Sequence, residues 1–154
     1  MSIFPTKVVL GIDGSQEASR AAEAAVELCK KTDSELHVVH IGEDFYLTAA
    51  PDLEMVAPTW LAQEVPQSEA NFEQIAQKLL DAEVEKVEAA GGTVAQAHLR
   101  MGRADAEIVN LAEEIEAGLV VLGSRGLGGV KSALLGSVSY SVIRHAHCPV
   151  LVVR

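Results

Sequence analysis

Residues 119–139, LVVLGSRGLGGVKSALLGSVS, gather the groups of this chain best suited to binding chemistry. An apolar, strand-like run opens into a segment with Gly123, Gly126, Gly128, Gly129 and Gly136. Two cations, Arg125 and Lys131, and a serine-rich helix start at Ser137 accompany them. Glycines leave backbone N–H groups open to an anion because no Cβ stands in the way. Gly136-Ser137 would open a helix, whose first N–H groups lack intrahelical partners and carry partial positive charge. A polyphosphate could lie between the two sets of amides, with the Ser137 hydroxyl adding a hydrogen bond. Arg125 and Lys131 would then neutralise its outer charge; the plain alternative makes both of them solvated loop cations.

The familiar phosphate motifs do not fit. A P-loop needs glycine directly before its lysine, and Val130 precedes Lys131. The dinucleotide pattern G-x-G-x-x-G, started at Gly126 and Gly128, would need glycine where Lys131 stands. The spacing present is Gly123-x2-Gly126-x9-Gly136-Ser137. Asp13 is the second candidate, at the end of the apolar run KVVLGID; the alternative is a cap on the helix that follows. His145, His147 and Cys148 invite a metal reading, but a closed zinc site takes four ligands, and histidines at a helix end already suit its negative dipole. His37 and His40 belong to one strand and point to opposite faces. Glu113, Glu114 and Glu116 form a solvated helix face.

Elements of a parallel α/β sheet position these groups. KVVLGID (7–13), ELHVVHIG (35–42), TVAQAHLRMG (93–102), GLVVLG (118–123) and CPVLVVR (148–154) read as strands. The unbroken apolar runs suit strands buried on both faces, and the polar alternation of 93–102 suits a sheet edge. Helical spacing follows Ser15, with Ala18, Ala21, Ala22, Ala25, Val26, Leu28 and Cys29 inward, and recurs at about 69–90 until Gly91-Gly92. Two further helices are expected over 104–117 and 137–146. Regular strand–helix alternation predicts one doubly wound domain over 1–154, a five-stranded parallel sheet with helices on both faces. Residues 43–70, with Pro51, Pro58, Pro66 and Trp60, break that rhythm and are expected to form a lid-like or partly helical excursion. In such sheets ligands bind beyond the carboxyl ends of the strands, where Asp13 and the glycine segment both fall.

Composition removes several functions. Acids outnumber bases 22 to 12, for a formal charge of −10, which argues against nucleic acid and anionic membranes as partners. Cys29 and Cys148 form no C-x-x-C pair, and the longest apolar runs are strand-sized, short of a membrane span. The first residues lack a signal peptide's pattern, so a reducing cytoplasm is the expected location.

The whole chain resembles the ATP-binding branch of the universal stress protein family. KVVLGIDGS, LHVVHI, MGRADAEIVNLAEE, the complete G-x2-G-x9-G-S spacing and RHAHCPVLVVR carry the resemblance. It implies a Rossmann-like sheet ordered 3-2-1-4-5 and an ATP ligand, with Mg²⁺ or Mn²⁺. Asp13 and Ile41 would flank the adenosine. Gly102 and Arg103 would form the loop after the third strand, near the ligand. Gly123, Gly126, Gly136, Ser137 and the amide of Val138 would hold the phosphates, with Arg125 beside them. Where some members carry proline or threonine before the aspartate this chain has Gly11-Ile12, so the adenine packing would differ. The resemblance also implies a homodimer through strand 149–154. Three functions stay open: a nucleotide-responsive regulatory module, a slow ATPase, and a nucleotide-free dimer acting on partners. No general base is evident beside the phosphate segment, which weakens the ATPase.

Overall fold

The computed structural model describes residues 7–42, 69–126 and 135–154. The expected excursion at 43–70, with Trp60, falls outside them up to residue 68, as does Lys131. Among the described residues nine elements follow one another as β1 (Lys7–Ile12), α1 (Gln16–Thr32), β2 (Glu35–Gly42), α2 (Glu69–Ala89), β3 (Val94–Met101), α3 (Ala104–Glu114), β4 (Leu119–Gly123), α4 (Ser137–His145) and β5 (Val150–Val153). The five strands are all parallel and lie in the order β3-β2-β1-β4-β5. The expected fold and strand order are both found.

The continuous apolar run of β1 has a physical reason in this order. Val8, Leu10 and Ile12 pack on one face with Ala21, Ala25 and Val26 of α1 and Leu80 and Val87 of α2. Val9 turns to the other face and meets Ile108, Leu111 and Ala112 of α3 and Val142 of α4. A strand at the centre of a two-faced sheet has no solvent side, so alternation disappears from its sequence. The chain runs from β1 outward through β2 to β3, then returns to place β4 on the opposite side of β1. The carboxyl ends of β1 and β4 therefore flank the point where the strand order reverses.

Local signals set α1. Ser15 is its N-cap in extended conformation, and its Oγ accepts the Ala18 N–H at 3.1 Å. Lys30 and Lys31 occupy the last turn, where cations oppose the helix dipole. Ala18, Ala21, Ala22, Ala25, Val26 and Cys29 are buried as expected, whereas Leu28 is only partly covered. Burial pushes the Cys29 thiol up to about 11, so it behaves as a small apolar filler. Gly91, at φ 90°, ends α2, and the Gly92 N–H closes back on the Val87 carbonyl at 3.0 Å.

Two details depart from the expected pattern. The third helix stops at Glu114 instead of reaching 117, because Glu116 takes φ 54° and the Ala117 N–H turns back to the Ala112 carbonyl at 2.8 Å. On α2 the inward stripe includes a carboxylate: Glu83 is buried and accepts from Lys86 Nζ at 2.9 Å. The ammonium of the exposed Lys86 supplies the partner that a buried carboxylate needs. As expected, β3 is an edge strand, with half of its residues exposed and none buried; β5 forms the other edge.

Candidate functional site

Asp13 follows β1 directly and is half-buried. Its Oδ1 accepts the Ser15 N–H at 2.9 Å, so the carboxylate is fixed by the same turn that starts α1. The expected helix-capping role is thus divided: Asp13 makes the turn, and Ser15 caps the helix. The second oxygen, Oδ2, lies against Gly126, where an added Cβ would stand only 2.6 Å away. The end of β1 and the glycine segment after β4 therefore meet.

The ends of that segment are tied together. The Ser124 carbonyl accepts the Gly136 N–H at 2.6 Å and the Ser139 hydroxyl at 3.0 Å. The Ser124 N–H in turn donates to the Val153 carbonyl at 2.7 Å. A Cβ on Gly136 would sit 3.3 Å from the Arg125 Cα and 3.6 Å from the Gly126 nitrogen. The two backbones can approach this closely because Gly136 lacks a side chain. Gly136 is the N-cap of α4 without a side-chain cap bond, and Ser137 and Val138 begin the helix. The first amides of α4 thus stand beside Gly126 with the partial positive charge of a helix start.

Gly123 also has a packing task, which its spacing did not suggest. A Cβ there would meet the backbone of α1, at 2.7 Å from the Glu17 carbonyl carbon and 2.8 Å from the Ala18 nitrogen. It is a packing glycine that lets the first turn of α1 lie on the end of β4. Gly11 is similar: a Cβ would stand 2.5 Å from Leu122 Cδ2. The departure Gly11-Ile12 therefore makes room for a core leucine on the neighbouring strand.

The remaining candidates lie at the same edge but differ in what they present. Ile41 is buried among Val9, Ile108 and Leu122, so its side chain belongs to the core. Gly102 adopts φ 136°, a conformation that favours glycine, and its N–H donates to the Gly42 carbonyl at 3.0 Å. Arg103 turns to Asp105, with Nε to Oδ1 at 2.8 Å and Nη2 to Oδ2 at 2.6 Å. Arg125 pairs with Glu17 at 3.6 Å. Both guanidinium groups thus already face carboxylates, which lowers the field either offers to an added anion.

Asp105 and Ser141 carried no signal in the sequence. Ser141 Oγ donates to Asp105 Oδ2 at 2.6 Å, which joins the loop after β3 to the middle of α4. The Arg103 guanidinium above all, with the Ser141 hydroxyl and the Ala106 amide, holds the Asp105 carboxyl well below the usual carboxylate range. An S-x-x-E-like start would have flagged a helix cap, but Asp105 acts across thirty-six positions of chain, which no local pattern encodes. His145 is bonded through Nδ1 to the Ser141 carbonyl at 2.8 Å. Among the described residues no group of three or more His, Cys, Asp or Glu is placed to hold a metal ion, and no helix is long and apolar enough to cross a membrane.

Comparison with known proteins identifies the family and the fold. The model of the universal stress protein family matches residues 5–154. The universal stress protein YxiE of Bacillus subtilis is 36% identical over 149 residues, covering 96% of this chain and 98% of its own. Among solved structures, UspA of Lactobacillus plantarum superposes with a TM-score of 0.70 at 22% identity, covering 96% of this chain and 97% of that one. A universal stress protein in complex with cAMP superposes at 0.67, with 23% identity and 97% of each chain covered. One from Archaeoglobus fulgidus in complex with dAMP superposes at 0.66, with 21% identity over 99% of this chain and 100% of that one.

Proposed function

This chain belongs to the universal stress protein family, and from that premise we propose that it is an adenine-nucleotide-binding regulatory module whose ligand is ATP. The observation that carries the reading is the contact of Gly126 with both Asp13 and Gly136. It brings together two stretches of backbone without side chains, one of them a helix start, which an anion can approach closely. Structures of the same fold with cAMP and dAMP support an adenine nucleotide. A chain of phosphates, rather than one, suits two separate sets of amides. In this reading Asp13 bonds a ribose hydroxyl or the base, and Ile41 contributes backbone at the adenine. Gly102 and Arg103 border the nucleoside, Gly126, Ser137 and the Val138 amide hold phosphate, and Arg125 leaves Glu17 to join them. Mg²⁺ or Mn²⁺ enters with the triphosphate as its counter-ion, since such ions commonly keep waters and few protein ligands.

Calorimetric titration of nucleotide-stripped protein with Mg-ATP tests this, followed by chromatography of the incubated nucleotide. Saturable binding with the ATP left intact is the expected result. Absence of binding would overturn the site, and steady ADP release would make the protein an ATPase.

The reading includes a homodimer. Among the described residues β5 ends the sheet, with Val150, Leu151, Val152 and Val153 along its outer edge, and Leu151 is 39% exposed. α4 packs against β5 and shows Tyr140 and Ile143 to solvent, at 54% and 45%. An apolar edge of this kind is covered most simply by its own copy across a two-fold axis. Light scattering at micromolar concentration is expected to give twice the 16.3 kDa chain mass; a monomer would exclude the dimer.

A further inference from the structure

The pair His37 and His98 lies away from the carboxyl edge and takes no part in the site above. His37 is 6% exposed on β2, and its Nδ1 stands 3.1 Å from Nε2 of the half-buried His98 on β3. The rings stack at 24° with centroids 5.4 Å apart. His37 Nε2 lies 3.4 Å from Glu35 Oε2. Just before this contact the β2–β3 register shifts between Leu36 and His37, so the ladder itself is irregular there. We propose that His37 and His98 form an acid-released latch that fastens the edge strand β3 to β2.

The proton count makes it a latch. A hydrogen bond between two imidazole nitrogens needs one N–H and one lone pair. One positive charge on the pair is tolerated, because the protonated ring donates to the lone pair of the other while Glu35 lies 3.4 Å from His37 Nε2. A second proton, on His98, sets N–H against N–H and places two cations in contact. His37 cannot leave its buried position, so His98 swings out with its edge strand.

The other charges on this face define where opening stops. Glu35 lies beside the pair on β2, with Lys7 opposite it in register on β1. Arg100 of β3 pairs with Glu114 and reaches Glu107 of α3 at 3.8 Å. Burial, then His37, then Arg100 lower the proton affinity of His98 below its ordinary 6.5, and Glu114 acts in the opposite direction. A histidine depressed in the folded state contributes its contact in full above 6.5, and the contribution is lost as pH falls through the lower folded value. Hydrogen bonding to Arg100 keeps Glu114 ionised below the usual carboxylate range. The Arg100–Glu114 tether therefore survives in this window, and opening is confined to the first half of β3.

Hydrogen exchange of the full chain, corrected for intrinsic rates, tests the latch at about pH 7.5 and about pH 5.5, either side of the imidazole range. Protection at residues 95–98 is expected to fall severalfold more than protection in β1. His98→Gln, which keeps a hydrogen bond without titrating, is expected to remove that difference. Equal protection of the wild type at both values would overturn the proposal, as would the same loss in His98→Gln. Should that variant not fold, imidazole NMR of the wild type decides: His98 titrating at or above its ordinary 6.5 would equally overturn it.

Discussion

Replacing Gly126 and Gly136 together by valine is expected to weaken Mg-ATP binding by about 10²–10⁴-fold. The structure supplies the reason at both positions. At Gly126 the new Cβ would stand 2.6 Å from Asp13 Oδ2, so the carboxylate must leave its place as well. At Gly136 the Cβ would stand 3.3 Å from the Arg125 Cα and 3.4 Å from the Ser124 oxygen, filling the gap between the two backbones. A hydrogen bond to a charged group contributes about 1.5–3 kcal/mol, so losing one amide from each side costs about 3–6 kcal/mol. That converts to the stated range at about 1.4 kcal/mol per decade. Valine is also a poor N-cap, costing α4 about 1 kcal/mol, so titrations belong well below the melting transition. Calorimetry showing wild-type affinity in a folded double variant would remove the glycine segment from the site.

Valine at Gly123 is expected to act on stability instead, lowering it by about 3 kcal/mol. Here the Cβ meets main chain rather than a flexible side chain: the Glu17 carbonyl carbon at 2.7 Å and the Ala18 nitrogen at 2.8 Å. To relieve the contact, α1 must lift from β4, and Ala18, Ala21 and Val26 would be drawn partly out of the core with it. For a chain of this size that loss lowers Tm by roughly 6–12 °C. Paired urea and thermal melts would show it. A Gly123→Val protein that melts like the wild type yet has lost ATP binding would return Gly123 to the phosphate, against its packing position.

The two glycine predictions differ although one spacing pattern groups all three residues. Periodicity and turn chemistry are local, and they were enough for β1, for the Ser15 cap and for the alanine stripe of α1. The polar alternation of β3 was likewise enough to put it at an edge, because a strand exposed on one side keeps that mark in its sequence. Other features had no such mark. Glu83 on the inward stripe of α2 is tolerable because Lys86 reaches over it, a fact of side-chain reach rather than of residue type. The early end of α3 depends on Glu116 accepting φ 54°, which favours no particular reading of the acidic run.

At the candidate site the division is sharper. From residue types and spacing alone came the class of fold, and the expectation that Asp13, Gly126 and Gly136 meet at its carboxyl edge. Those conclusions depend on the backbone, and glycine, aspartate and the strand–helix rhythm report backbone directly. Tertiary structure alone decided that Gly123 and Gly11 serve packing, that Ile41 turns into the core, and that Arg103 and Arg125 face Asp105 and Glu17. It alone joined Asp105 to Ser141 and His37 to His98, thirty-six and sixty-one positions apart. The reason is physical: a parallel sheet brings together residues separated by whole helices, and which side chains then touch depends on register, face and the space left by neighbours.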